Sequence, residues 1–131
     1  MTYRNSEPIE NLALAHLGLV VADADRSAQF YSQVLGLTMG LSHVTDNLKI
    51  VNLHTGTMTV ELLEYIPAPP VKRGAGFLDH IAFTVADLDS AVKKLRKLGV
   101  PFETEAPRQA IGHRIIFFAG PDGERIELME M

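Results

Sequence analysis

Short runs of alternating apolar and polar residues cover most of the sequence, and two longer runs carry apolar residues at helical spacing. The alternation over residues 14–21 predicts a half-buried strand. Asp23 or Asp25 can then cap a helix that ends at Gly36, because glycine commonly closes the last turn of a helix. Three further runs predict strands at residues 37–44, 48–54 and 58–65. The first half of the sequence therefore predicts the order β-α-β-β-β.

The second half of the sequence repeats this order. A strand is predicted over residues 77–85, and it is followed by a helix that Asp87 caps and Gly99 ends. Three more strands are predicted at residues 100–105, 113–119 and 124–130. An internal repeat of this length indicates a duplicated βαβββ module.

The length of the chain fits one domain built from the two modules. With 131 residues, 47% of them hydrophobic, the chain can bury a core of useful size. We therefore expect a single α+β domain over residues 1–131, with module 1 at about 12–66 and module 2 at about 77–131. The Pro- and Gly-rich residues 66–76 are the predicted linker.

Each module carries one histidine and one glutamate at equivalent positions. His16 and His80 lie in the first predicted strands, and small residues follow them on the same strand face. Glu61 and Glu127 lie in the last predicted strands, each on the face opposite to its two apolar neighbours. The two glutamates are separated by nearly as many residues as the two histidines. Pairing of the modules about a pseudo-twofold axis can therefore bring all four side chains together.

Two imidazoles and two carboxylates form a suitable ligand set for a divalent metal ion. Neutral histidine binds zinc, nickel, cobalt and iron, while carboxylates balance the charge of the metal. A single histidine or glutamate on a strand is more often a structural or solvated residue. Four such residues in register with an internal repeat favour a shared metal site formed by His16, Glu61, His80 and Glu127.

The composition excludes several other classes of function. The net charge of −4 argues against nucleic-acid binding, which needs a basic surface. No apolar run is long enough to span a bilayer, so no membrane partner is expected. The polar N-terminus lacks the apolar centre of a signal peptide, and the absence of cysteine excludes disulfides and thiolate chemistry. We therefore expect a cytoplasmic protein.

Three segments resemble the vicinal oxygen chelate superfamily. The segment HLGLVVADADRSAQFYSQVLGL, which begins at His16, resembles the first module of that superfamily. The segments DHIAFTVADLDSAVKKLRKLGV and GPDGERIELMEM resemble its second module. The resemblance extends from Leu12 to Met129 and implies a curled, mixed, eight-stranded sheet around a metal cleft.

Within this superfamily, the four candidate ligands resemble the His-Glu-His-Glu set of glyoxalase I. The resemblance implies one divalent ion, zinc, nickel or cobalt, and proton transfer next to a metal-bound carbonyl through an enediolate. It implies that Glu127 is the base and that Glu61 shares the proton transfer on the opposite side. Asp79 stands before the second histidine, where the family usually has glycine or histidine.

Other members of the superfamily leave further functions open. Methylmalonyl-CoA epimerase moves a proton by nearly the same chemistry, and the segment VELLEY resembles its fourth strand. Extradiol dioxygenases use Fe(II) with two histidines and one carboxylate. Still other members bind small molecules without catalysis, so the fold alone does not fix the activity.

The expected substrate is a small molecule, either a 2-oxoaldehyde–thiol adduct or an acyl thioester. Val20 and Tyr65 stand where bacterial glyoxalase I has an arginine and an asparagine that contact glutathione, so the identity of the thiol stays open. The basic candidates for contacts with an anionic part of the substrate are His113, Arg114, Lys72 and Arg73.

We also expect a homodimer, because an open half-barrel leaves strand edges to be covered. The sequence leaves open whether the four ligands come from one chain or from two.

Overall fold

The computed structural model describes residues 7–8, 10–11, 14–68 and 78–131. Its strands are β1 His16–Val20, β2 Thr38–Val44, β3 Leu48–Thr55, β4 Met58–Tyr65, β5 Ile81–Val85, β6 Arg108–Ala110, β7 His113–Ala119 and β8 Arg125–Glu130. Its helices are α1 Ala24–Gln29, which continues into a π-helical turn at Phe30–Val34, and α2 Leu88–Lys97. No helix within the described ranges has the length and apolar character to cross a membrane.

The strands form two four-stranded sheets with the same internal order. Module 1 has the order β1-β4-β3-β2, and module 2 has the order β5-β8-β7-β6. In each sheet the first strand runs parallel to the last strand of the module, and the other pairs are antiparallel. This arrangement confirms the predicted α+β fold of two βαβββ modules. The eight strands are divided between two sheets that do not close on each other.

Both helices begin and end as the sequence predicts. The side chains of Asp23 and Asp87 accept a hydrogen bond from the backbone N–H three residues further on, at 3.1 Å in each case. Asp23 rather than Asp25 is thus the first helix cap. Gly36 and Gly99 follow the helices with φ angles of 82° and 75°, the left-handed conformation that favours glycine.

A second glutamate on the last strand of each module fixes the helix above the sheet. The carboxylate of Glu64 accepts a hydrogen bond from the backbone N–H of Ala24 at 2.7 Å. Glu130 accepts the equivalent bond from the N–H of Leu88 at 2.9 Å. A negative charge at a helix N-terminus is favourable. These contacts fix the distance between each helix and the strand that carries the candidate ligand.

One predicted strand of the second module is wrong, and another begins later than predicted. Residues 100–105 form no strand, and only Phe102 makes an isolated bridge, to Phe118. Pro101 lacks the N–H that a strand ladder needs, and the edge strand forms instead at Arg108–Ala110. Strand β5 begins at Ile81, so His80 lies just before it. Residues 69–77, which include most of the predicted linker, lie outside the described residues.

The two modules contact each other through α1 and the turn before β8. The Tyr31 hydroxyl donates a hydrogen bond of 2.7 Å to the buried carboxylate of Glu124. Asp122 accepts bonds from Arg26 at 2.9 Å and from Ser27 at 3.3 Å. A side chain at position 120 would clash with Glu124, because a Cβ on Gly120 would lie 2.4 Å from the Glu124 carboxyl carbon. A continuous core therefore joins helix α1 to both sheets.

The opposite side of the contact between modules is open. A cavity of about 570 Å³ lies there between α2 and the β3–β4 turn, lined by Leu17, Met58, Phe83 and Leu95 among other apolar residues. Lys94 is the only charged side chain among the described residues that line it. The pseudo-symmetry of the two modules is thus broken: hydrogen bonds join the modules beside α1, whereas an apolar cavity separates them beside α2.

Candidate metal centre

The module 1 half-site consists of His16 and Glu61. His16 begins β1, and Glu61 lies on the neighbouring strand β4, opposite Gly18. The small residue leaves the carboxylate free to approach the imidazole, and Nε2 of His16 lies 3.8 Å from Oε1 of Glu61. The two side chains are 50% and 23% exposed. The half-site therefore lies on the solvent-accessible face of its sheet.

The module 2 half-site consists of His80 and Glu127. Glu127 lies on β8 opposite Ala82, which repeats the relation of Glu61 to Gly18. Nε2 of His80 lies 3.0 Å from Oε2 of Glu127, and the two side chains are 34% and 11% exposed. This half-site is tighter and more buried than that of module 1.

The structure brings the four predicted ligands together as two pairs. Among the described residues, no group of three or more His, Cys, Asp or Glu side chains lies close enough to hold a metal ion. Each chain thus presents one nitrogen and one carboxylate in each module.

Asp79, Arg125 and Glu103 form an acid–arginine network beside His80. Oδ2 of Asp79 lies 2.6 Å from Nδ1 of His80 and accepts a hydrogen bond of 2.6 Å from Nη1 of Arg125. The other guanidinium nitrogens of Arg125 donate to both oxygens of Glu103 at 2.5 and 2.9 Å. The bond from His80, followed by the charge of Arg125, holds the pKa of Asp79 below its usual range. Arg125 likewise lowers the pKa of Glu103 and has its own pKa raised in return.

Sequence reasoning missed this network, although one signal for it was present. An aspartate directly before a candidate ligand histidine is able to bond the ring nitrogen that faces away from the metal. Glu103 gave no such signal, because it lies in a segment that the sequence predicts as a strand.

The environment of the candidate ligands fits a divalent metal. Since Nδ1 of His80 has a partner in Asp79, its Nε2 is the nitrogen that faces the carboxylate of Glu127. In module 1, Asn52 lies opposite Glu61 across β3 and β4, and its Oδ1 is buried without a hydrogen-bond partner among the described residues. A buried polar atom of this kind is costly unless a bound group satisfies it. Neutral nitrogen and carboxylate oxygen are ligands of zinc, nickel and cobalt.

The remaining candidate residues lie apart from the two half-sites or outside the described ranges. Nδ1 of His113 lies 3.0 Å from the backbone oxygen of Glu130. Arg114 donates to Asp89 of α2 at 2.8 Å and to Glu130 at 3.3 Å, so its guanidinium already has anionic partners on the helix side of the sheet. Lys72 and Arg73 lie outside the described residues.

The arrangement can support proton transfer at a bound carbonyl compound. A divalent ion polarises a carbonyl oxygen, and a carboxylate beside it can remove a proton from the neighbouring carbon. Glu127 is the more buried of the two candidate bases.

Comparison with known proteins gives the family of the chain. Residues 13–128 match the Glyoxalase/Bleomycin resistance protein/Dioxygenase superfamily. Uncharacterized protein YwkD of Bacillus subtilis is 30% identical, over 90% of this chain and 96% of the relative. Lactoylglutathione lyase of Escherichia coli O157:H7 is 32% identical, over 91% of this chain and 93% of the relative. The 2-epi-5-epi-valiolone epimerase of an Actinomyces species is 29% identical, over 92% of this chain and 80% of the relative.

A solved structure gives the same result. The trypanothione-dependent glyoxalase I of Leishmania major superposes with a TM-score of 0.74 at 26% identity, over 92% of this chain and 87% of that one. Members of the superfamily generally use a divalent metal, bind small molecules and often form dimers. The match over most of the chain, together with the shared fold, establishes that this protein belongs to the Glyoxalase/Bleomycin resistance protein/Dioxygenase superfamily.

Proposed function

We propose that this protein is a metal-dependent lyase or isomerase of the glyoxalase I type. It moves a proton between neighbouring carbons of a carbonyl compound at one divalent ion, which is zinc, nickel or cobalt. The observation that carries the proposal is the repeated pair, with Nε2 of His80 lying 3.0 Å from Glu127 and Nε2 of His16 lying 3.8 Å from Glu61. A duplicated imidazole–carboxylate pair is a donor set that suits such an ion.

A homodimer completes the site in this proposal. The two half-sites do not form a group of three ligands within the described part of one chain. A twofold axis would place the module 1 half-site of one protomer against the module 2 half-site of its partner, and the same operation would form a second, identical site. Each site then contains two histidines and two glutamates.

The two glutamates have different roles. When bound, the metal supplies Lewis acidity that favours negative charge on the substrate oxygen. Glu127 removes the proton from carbon and returns it to the neighbouring carbon, so no external acid is consumed. Its side chain is only 11% exposed, which limits exchange of the transferred proton with water. Glu61, at 23% exposed, transfers protons on the opposite face of the substrate.

The substrate is proposed to be a 2-oxoaldehyde–thiol adduct, with an acyl thioester or another carbonyl compound as the epimerase alternative. Val20 and Tyr65 occupy the positions expected to contact glutathione, and Tyr65 is 43% exposed. Neither side chain carries a charge that could pair with a carboxylate of the thiol at neutral pH. The 29% identity to an epimerase is the reason for keeping the second candidate, for which we propose the same proton transfer. A cytoplasmic location belongs to the same proposal.

The first experiment measures metal binding and turnover together. We expect metal-free protein to bind one zinc, nickel or cobalt ion per chain and then to isomerise the methylglyoxal–glutathione hemithioacetal. Metal binding without turnover on this adduct, but with exchange of substrate hydrogen for deuterium in an acyl thioester, would favour the epimerase. Tight binding of iron alone with oxygen-dependent turnover would favour a dioxygenase, and absence of metal binding would overturn the proposal.

The second experiment tests whether each site combines two chains. The His16→Ala and His80→Ala variants are each expected to be inactive. If a site combines opposite half-sites from two protomers, a mixed dimer of the two variants contains one intact site. Equal mixing after subunit exchange should therefore restore about a quarter of the wild-type sites. A site within one chain predicts that the mixture stays inactive.

A further inference from the structure

The module 2 half-site has a supporting structure that module 1 lacks. His80 contacts Asp79 through Nδ1 at 2.6 Å and Glu127 through Nε2 at 3.0 Å. Its ring also packs in an edge-to-face arrangement with that of Phe117, with ring centroids 5.1 Å apart and planes at 89°. Three groups therefore limit the rotation of this imidazole about its side-chain bonds.

Asp79 is itself held in place. The oxygen that faces His80 also accepts a hydrogen bond from Arg125. The other two nitrogens of Arg125 donate to the carboxylate of Glu103. The guanidinium lies over the face of Phe117, 4.0 Å from the ring centroid. Phe117 thus contacts both the imidazole and the arginine, so one aromatic ring connects the ligand to its supporting network. A bidentate arginine–carboxylate pair has a well-defined geometry.

The equivalent positions of module 1 contain none of these groups. Ala15 precedes His16, Thr59 lies opposite His16 on β4, and Asn52 lies opposite Glu61 where module 2 has Phe117. Thr59 instead bonds His54 at 2.8 Å. The two histidines thus occupy equivalent positions in the repeat, but only His80 has a partner for its second nitrogen among the described residues.

We propose that Asp79 is a positioning residue that holds His80 with its hydrogen on Nδ1, which leaves the lone pair of Nε2 for the metal that Glu127 would also bind. A neutral imidazole has one N–H, and it is donated to the closer of the two carboxylates, that of Asp79. Arg125 and Glu103 act through Asp79 by fixing its orientation. The inference about the metal rests on the proposed function, whereas the tautomer is a property of the metal-free protein.

Nuclear magnetic resonance of the histidine ring nitrogens tests the proposal in metal-free protein. At a pH where the rings are neutral, we expect His80 in the wild type to carry its hydrogen on Nδ1. In Asp79→Ala this preference should be lost, and hydrogen on Nε2 should become the main form. Asp79→Asn keeps an amide oxygen that can accept the same bond, so it should retain part of the preference. Asp25→Ala removes another exposed aspartate that pairs with a cation and is the matched control.

Metal affinity provides the second readout. Loss of the group that orients a ligand histidine typically costs about 10–100-fold in metal affinity. We expect a loss in this range for Asp79→Ala, a smaller loss for Asp79→Asn and no change for Asp25→Ala, measured by competition with a chelating dye. An Nε2 hydrogen in the wild type, or an unchanged tautomer in Asp79→Ala, would overturn the positioning role. A wild type that shows the Nδ1 hydrogen but binds no metal would confirm the positioning and reject the proposed function instead.

Discussion

The two half-sites share the same ligands, yet they differ in almost everything that surrounds those ligands. His16 is half exposed and lies 3.8 Å from its glutamate, whereas His80 lies 3.0 Å from Glu127 and is held by Asp79. Duplication of a module thus reproduces the candidate ligands, which occupy equivalent positions in the two sheets. It does not reproduce the network that fixes them, because the equivalent positions of module 1 carry Ala15, Thr59 and Asn52. The difference indicates that module 2 presents a prearranged half-site and that module 1 presents an adaptable one.

The largest expected effect comes from exchanging the two glutamates for glutamine. Removal of a general base typically lowers turnover by about 10²–10⁴-fold. We expect Glu127→Gln to show a loss in this range with its metal-loaded form, and Glu61→Gln to show a smaller one, because Glu127 is more buried and better oriented. Steady-state kinetics at equal metal occupancy measures both variants. Equal losses would mean that the asymmetry of the two half-sites has no consequence for catalysis.

A second prediction concerns Asn52, the module 1 counterpart of Phe117. Its buried Oδ1 lacks a partner among the described residues, and an unsatisfied group of this kind costs roughly 1–3 kcal/mol. Asn52→Leu should therefore stabilise the ligand-free protein by roughly 1 kcal/mol, as measured by urea denaturation. The same change should weaken substrate binding if the amide meets a bound group.

Thr59→Val is a suitable control for Asn52→Leu, since it also removes a polar group from the same sheet. The Thr59 hydroxyl has a partner in His54, so this variant should lose rather than gain stability. A destabilised Asn52→Leu variant would indicate that the amide already has a partner in solution.

The repeat explains how much of this molecule the sequence could predict. The spacing of apolar residues and the helix caps Asp23 and Asp87 are local properties, and the structure confirms the helices they predict. His16, Glu61 and Glu127 lie in strands as predicted, whereas His80 lies just before β5. The strand predicted at residues 100–105 was wrong because Pro101 interrupts the ladder there, although the residue types favour a strand. Local pattern alone therefore gave the modules but not the edge of the second sheet.

The acid–arginine network could not be predicted for a different reason. Glu103, Arg125 and Asp79 are far apart in the sequence, and no periodicity connects them. Only the packing of the loop at Glu103 beside β8 brings the three charges together. For the same reason the sequence could not tell whether the half-sites meet within one chain, because this depends on the relative placement of two complete modules.

The smallest expected effect is a loss of stability at low pH, and it is expected from the charge network of module 2 alone. The pKa values of Asp79 and Glu103 are lowered in the folded protein by His80 and Arg125, so their favourable interactions are present above the unfolded-state pKa values. These interactions are lost as the pH falls below about 4 and through the lowered folded-state values. Because both side chains are exposed, screening keeps the contribution small.

Arg125→Met removes the charge but keeps an apolar side chain over Phe117. We expect the free energy of unfolding of this variant to fall less than that of the wild type between neutral pH and about pH 3. The two free energies should therefore become similar in acid. Asn52→Leu, which replaces an uncharged side chain of module 1, should run parallel to the wild type over the same range. Denaturant midpoints of metal-free protein at several pH values measure this. A parallel course for Arg125→Met would show that the network contributes nothing to folding stability, and its role would then be confined to the orientation of His80.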